Sequence, residues 1–253
     1  MAPVPQHRST SGNDADTTRR PRAIALVGID GSGKTTQAHQ LADLLTAGGM
    51  PATYWQNAGG RRWLGRLARR LGRRDPQHLL GRTGLLFVES VLRWLAIARA
   101  LLRSTLRRRV AVMDRYAACQ YASIRAHGGH RWEVVARAFY RIFPAPDVTF
   151  LLDVAPAEAY RRIEERGTDH ESMEFLAASV AAYRSLPEHP RFVVVDANGT
   201  PAEVTAAILD HLAERFPVRP STGPVAGPVD GLPPPAGPAV PGPGVARIAT
   251  RSA

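Results

Sequence analysis

The chain has 253 residues, 44% of them hydrophobic, so a sizeable core is available and disorder throughout is excluded. Its formal net charge of +11 points to anionic partners (phosphates, nucleic acid or an acidic membrane face) and says nothing of fold. Cys119 is the only cysteine, which excludes an internal disulfide and leads us to expect a cytoplasmic protein.

Residues 1–21 are polar and basic with no apolar segment, which argues against a secretory signal and for an unstructured arm. From residue 22 onward, short β-branched runs alternate with longer helical patterns. AIALVGI (23–29), ATYWQ (52–56), RVAVMD (109–114), DVTFLLDV (147–154) and RFVVVDA (191–197) read as strands. That alternation predicts one doubly wound α/β domain over 22–216: a five-stranded parallel sheet of the P-loop type with helices on both faces. Ligands of such sheets gather at the carboxyl ends of strands, here after Val27, Met113 and Leu152. Residues 217–253 hold ten of the 21 prolines and are expected to be a disordered Pro/Gly-rich tail.

Two stretches invite other readings. GLLFVESVLRWLAIARALL (84–102) approaches bilayer length, but Glu89, Arg93 and Arg99 interrupt it. Glu89, Arg93, Ala96, Ala100 and Arg103 fall on one helical stripe, so the expectation is a core helix with one polar face and no membrane span. RRWLGRLARRLGRR (61–74) carries seven arginines and no acid. It reads as a basic surface helix, which could funnel nucleotides to a cleft or bind nucleic acid or an anionic membrane.

The strongest chemical signal is GIDGSGKTT (28–36). Gly28, Gly33, Lys34 and Thr35 match G-x-x-x-x-G-K-[ST] between a hydrophobic strand and an amphipathic helix. Glycines let successive N–H groups of Gly28, Asp30, Gly31, Ser32, Gly33, Lys34, Thr35 and Thr36 face one anion, and the helix dipole adds to their field. Thr35 would place its hydroxyl on Mg²⁺, and Lys34 would reach the β- and γ-phosphates of ATP. Lys34 is also the only lysine among 33 Lys plus Arg. A loop wrapped round a phosphate admits a compact ammonium on a thin stem, whereas a planar guanidinium fork is too wide.

This loop, the DRY at 114–116 after a buried strand, and LLDVAPAEAYRRIEERG at 151–167 together resemble the thymidylate kinase family of nucleoside monophosphate kinases. The resemblance covers about residues 22–215 and implies ATP- and Mg²⁺-dependent phosphorylation of dTMP to dTDP. It implies that Asp30 accepts the sugar 3′-hydroxyl of the monophosphate and that Arg115 holds the acceptor phosphate. Asp114 would orient Arg115 or hold magnesium through water. No arginine stands at Gly31 or Ser32, so a lid arginine, Arg162 or Arg166, would neutralise the transferring phosphoryl. Phe87 matches the residue that stacks on the base, Gln120 takes the place of a base-reading Asn or Ser, and a homodimer through helices of the 85–102 kind is implied.

The chain departs from the family pattern elsewhere. QNAGGRR (56–62) replaces the usual R-E-P-G-G-T, Val91 stands where an arginine reads the base, and Ser123 stands where a tyrosine packs on the deoxyribose. Arg93 lies two residues beyond Val91 and is expected to point elsewhere on the helix. The alternative is a nucleotide-binding module without kinase activity that meets nucleic acid or another anionic partner through its basic helix.

Overall fold

Strands buried on both faces need nearly continuous apolar sequence, and each of the five runs is a strand in the computed structural model. It describes residues 20–58, 77–167 and 171–216, with 77–83 by backbone alone. β1 (Ala23–Val27), β2 (Ala52–Gln56), β3 (Val110–Asp114), β4 (Val148–Asp153) and β5 (Val193–Asp196) form one parallel sheet in the order β2-β3-β1-β4-β5. β1 and β3 are buried at every position, while the edge strands β2 and β5 are only partly covered.

Seven helices surround the sheet among the described residues: α1 (Lys34–Ala47), α2 (Gln77–Leu106), α3 (Ala117–Ala126), α4 (His130–Tyr140), α5 (Pro156–Arg166), α6 (Met173–Arg184) and α7 (Pro201–Arg215). α1 and α7 pack on each other over one face, while α2 lies on β2 and β3 and continues through α3 to α6 over the other. The Gln37 amide donates to the Pro201 carbonyl at 2.8 Å, tying α1 to the start of α7.

The helix starts differ in a way that matters for ligands. α7 opens with a complete capping box between Thr200 and Glu203, and α6 opens on the Ser172 hydroxyl, which accepts from the Phe175 amide. α1 opens on Gly33 at φ 85° with no side-chain cap. Its first amides have no capping side chain and lie at the sheet mouth.

Strand register brings three ends together there: Leu26 lies beside Asp114, and Val27 beside Leu151. This is where the strand order reverses about β1, the usual ligand position in such sheets.

The stripe expected on α2 turns inward. Glu89 and Arg93 are 1% and 6% exposed, and Ala100 is fully buried, while Arg103 lies at the surface. Among the described residues, no helix is long and apolar enough to cross a membrane. Residues 1–19, the 61–74 segment, Gly59, Gly60, His170 and the 217–253 tail lie outside the described residues.

Candidate active site

The turn from β1 to α1 requires its glycines. Gly28, Gly31 and Gly33 all have positive φ, at 147°, 85° and 85°. A Cβ on Gly31 would stand 2.5 Å from the Ala159 carbonyl oxygen, and one on Gly28 would stand 2.7 Å from that of Leu152. The loop is therefore pressed against β4 and α5 and admits no side chain at either place. The buried Tyr183 hydroxyl donates to the Gly28 carbonyl at 3.1 Å, which anchors the loop from α6.

Lys34 curls back into this loop. Its Nζ donates to the Ile29 carbonyl at 2.5 Å and to Ser32 Oγ at 3.3 Å, and lies 3.8 Å from Asp30 Oδ1. The residue is 5% exposed. Burial pulls its pKa below the ordinary lysine value, the nearby Arg115 charge adds to that, and Asp30 and Asp114 oppose it. An ammonium so short of water is poised to gain from a polyphosphate.

β3 supplies the other half. Asp114 is 1% exposed at its end. Its Oδ2 accepts from Thr35 Oγ1 at 2.6 Å and from Tyr54 Oη at 3.3 Å. Tyr54 is correspondingly pushed up to about 12, by burial first and by the Asp114 charge second. The other oxygen, Oδ1, is buried without a hydrogen-bond partner among the described residues. A threonine hydroxyl and a carboxylate with an unmet oxygen, beside an anion-binding loop, are the hard donors that suit Mg²⁺. No group of three or more His, Cys, Asp or Glu side chains that could hold a metal exists among the described residues. Such an ion would thus complete its shell from nucleotide oxygens and water, as Mg²⁺ commonly does.

Arg115, next along, has φ 78°, a left-handed backbone that is rare for a side chain this size. Two contacts from residue 57 hold that backbone: the Asn57 amide nitrogen donates to the Asp114 carbonyl at 3.0 Å, and Asn57 Nδ2 donates to the Arg115 carbonyl at 2.8 Å. The guanidinium is thereby aimed at the loop, where it donates to Asp30 Oδ1 at 2.5 Å. The Asp30 charge is the main reason that its pKa rises above the normal arginine value. Asp30 and Arg115, given separate roles toward the acceptor by the resemblance, are thus direct partners in space.

The α2–α3 wall presents two faces of α2. Phe87 is 54% exposed, and its ring faces Trp132 of α4 with centroids 6.4 Å apart. Phe87 and Val91 line an apolar groove with Leu86, Ile124, Trp132 and Phe139. Arg93 does point elsewhere than Val91: it turns inward, where its NH1 donates to Gln120 Oε1 of α3 at 2.7 Å and its Nε to the Asn57 carbonyl at 3.3 Å. A helix bound to a sheet on one side directs the 89–93 stripe inward and the 87–91 stripe to the flank.

On α5, Arg162 is engaged on every side. It donates to Glu158 at 2.7 Å and to the carbonyls of Ala197, Asn198 and Gly199 at 2.9–3.2 Å. It therefore bolts α5 to the turn before α7. Arg166, one helical turn on, lies at the surface, with its Nε donating to the Arg162 carbonyl. Gly167, at φ 60°, ends the helix.

Sequence reasoning missed Asn57, Tyr54, Tyr183 and the partners that Arg93 meets. None belongs to a local motif, and each acts through a contact across at least 27 positions of chain.

Comparison with known proteins agrees with this architecture. The sequence model of the thymidylate kinase family matches residues 26–208. A thymidylate kinase of Chromohalobacter salexigens is 30% identical over 207 residues, covering 77% of this chain and 96% of that protein. One from Dinoroseobacter shibae is 30% identical, covering 77% and 98%. A third, from Halorhodospira halophila, is 31% identical over 217 residues, covering 79% and 98%.

Proposed function

This chain belongs to the thymidylate kinase family, and from that premise we infer that it transfers the γ-phosphoryl group of ATP to the phosphate of a nucleoside monophosphate, converting dTMP to dTDP. The observation that carries this reading is the meeting of two grips at one mouth. The donor grip is the loop with buried Lys34, the acceptor grip is Arg115, and Asp30 lies within 4 Å of both cations.

In the reaction, an oxygen of the dTMP phosphate attacks the γ-phosphorus in line. A new O–P bond forms as the bond between the γ-phosphorus and the bridging oxygen breaks, and ADP leaves with that electron pair. The nucleophile is already an anion, so no catalytic base is called for, and the chain's task is positioning and charge neutralisation. Lys34 and the amides of Gly28 to Thr36 hold the donor phosphates. Asp30 exchanges its bond to Arg115 for the sugar hydroxyl, and the released guanidinium takes the acceptor phosphate in a bidentate grip. Thr35 and Asp114 are the residues that would hold Mg²⁺, which when bound neutralises phosphate charge.

We assign the lid charge to Arg166, because Arg162 already spends its donors on Glu158 and three carbonyls. Phe87 and Gln120 remain our candidates for contacts to the acceptor nucleoside. ATP as donor and a single, buried cysteine support a cytoplasmic location. We further propose a homodimer: Leu95, Val135 and Phe139 are half-exposed apolar side chains on α2 and α4, which a second copy would cover. Light scattering should give twice the chain mass, and a monomer at micromolar concentration would refute the dimer.

The alternative of a binding module draws on residues 61–74, which lie outside the described residues, and no comparison supports it. ADP release with ATP and a panel of dTMP, dUMP, dCMP and UMP tests the kinase reading. Turnover with dTMP is expected, and silence with all of them would refute it.

A further inference from the structure

We propose that Arg93 is a positioning residue for base selection: it locks the Gln120 amide so that only its Nε2 donor faces the acceptor base, favouring a 4-oxo over a 4-amino pyrimidine monophosphate. The proposal rests on the kinase reading above and adds a determinant of which acceptor is taken.

A glutamine amide is two-faced. It can offer its oxygen or its nitrogen, and a half-turn of the amide exchanges them. A guanidinium carries donors only, so the atom turned toward Arg93 has to be Oε1. That contact is 2.7 Å. The amide is fully buried, and Arg93 is 6% exposed, so water does not blur the choice. With the oxygen taken, Nε2 is left as a buried donor without a partner among the described residues. A native interior rarely leaves such a donor unmet, and a ligand is one accepted reason for it.

The place of this donor follows from what Arg93 touches. Its Nε holds the Asn57 carbonyl, and Asn57 Nδ2 holds the Arg115 carbonyl. Gln120 is thus joined through two residues to the backbone of the acceptor-phosphate grip, and it lies on the same helix, α3, which begins directly after the DRY segment. The unmet donor belongs to the acceptor half of the mouth. Val91, where the family resemblance implies an arginine, cannot supply a polar side-chain contact, and Arg93 reaches the interior instead. The oxo group at position 2 is common to every pyrimidine, and at position 3 a donor would meet the N–H of thymine and suit cytosine instead, so we place the Gln120 donor at position 4. There thymine and uracil offer an oxygen, and cytosine offers an amine.

The test is steady-state ADP release by the wild type, Arg93→Met and Gln120→Glu with dTMP, dUMP and dCMP at saturating ATP. In Arg93→Met the amide is free to turn and accept from the amine, so the dTMP-to-dCMP ratio of kcat/KM should fall by about tenfold or more. The KM for ATP should stay within about twofold, because no donor contact is touched. Gln120→Glu keeps an acceptor for Arg93 but removes the donor, so the KM for dTMP should rise about tenfold. An unchanged ratio in Arg93→Met overturns the proposal. If that variant does not fold, Gln120→Glu decides, and wild-type affinity for dTMP there overturns it equally. A wild type silent with every acceptor would overturn the kinase reading itself, whereas an active enzyme with an unaltered ratio overturns only this inference.

Discussion

The two halves of the mouth are built on different principles. The loop half is built on backbone: three glycines with positive φ and an uncapped helix start, with Lys34 at the head of α1 and Arg115 just past the end of β3. The other half, proposed for the nucleoside, is made of side chains from α2 and α3 that meet only because these two helices pack together. Backbone geometry tolerates almost no substitution, since a Cβ at Gly28 or Gly31 meets a carbonyl within 2.7 Å. Side-chain walls can be rebuilt by moving a charge a few positions along a helix. A fold built this way can keep its anion-binding loop while its side-chain walls change.

The contrast is open to attack, beginning where the effect should be greatest. Lys34→Ala should lower kcat/KM by about a thousandfold in a coupled ADP-release assay. Lys34→Arg should rescue little of it, because a fork cannot enter a loop that holds a 5%-exposed ammonium between Ile29 and Ser32. Strong rescue would mean that the loop is roomier than its backbone implies.

Arg115→Ala should raise the KM for dTMP by about 30- to 100-fold, the worth of a charge-assisted grip, and leave the KM for ATP within about threefold. Equal losses for both substrates would erase the division into a donor and an acceptor half.

The smallest effects separate two arginines of α5. Arg166→Ala should cut kcat by about tenfold or more at an unchanged melting temperature. Arg162→Ala should lower the melting temperature by about 2–4 °C, since it loses one carboxylate and three carbonyl contacts. Reversed outcomes would exchange the roles of Arg162 and Arg166.

The strands were readable to within two residues at either end, because a parallel sheet covered on both sides leaves uninterrupted apolar runs. The glycine loop was equally readable: its spacing is local, and its conformation follows from residues that are neighbours in the chain. Asp30 and Arg115 could be named on resemblance, but their 2.5 Å contact spans 85 positions. Phe87 and Arg93 mark where the reading stopped. Helical period tells which residues share a stripe, but it cannot tell which stripe will turn toward the sheet.

By itself, then, the sequence determined the strand order's raw material, the anion-binding turn and the single ammonium within it, all set by backbone sterics over a few residues. The tertiary structure decided which α2 side chain meets Gln120, how Asn57 holds the left-handed Arg115, and that Arg162 is bound in place while Arg166 lies at the surface. Those outcomes depend on the angle at which distant elements pack, and no spacing along one segment encodes that angle.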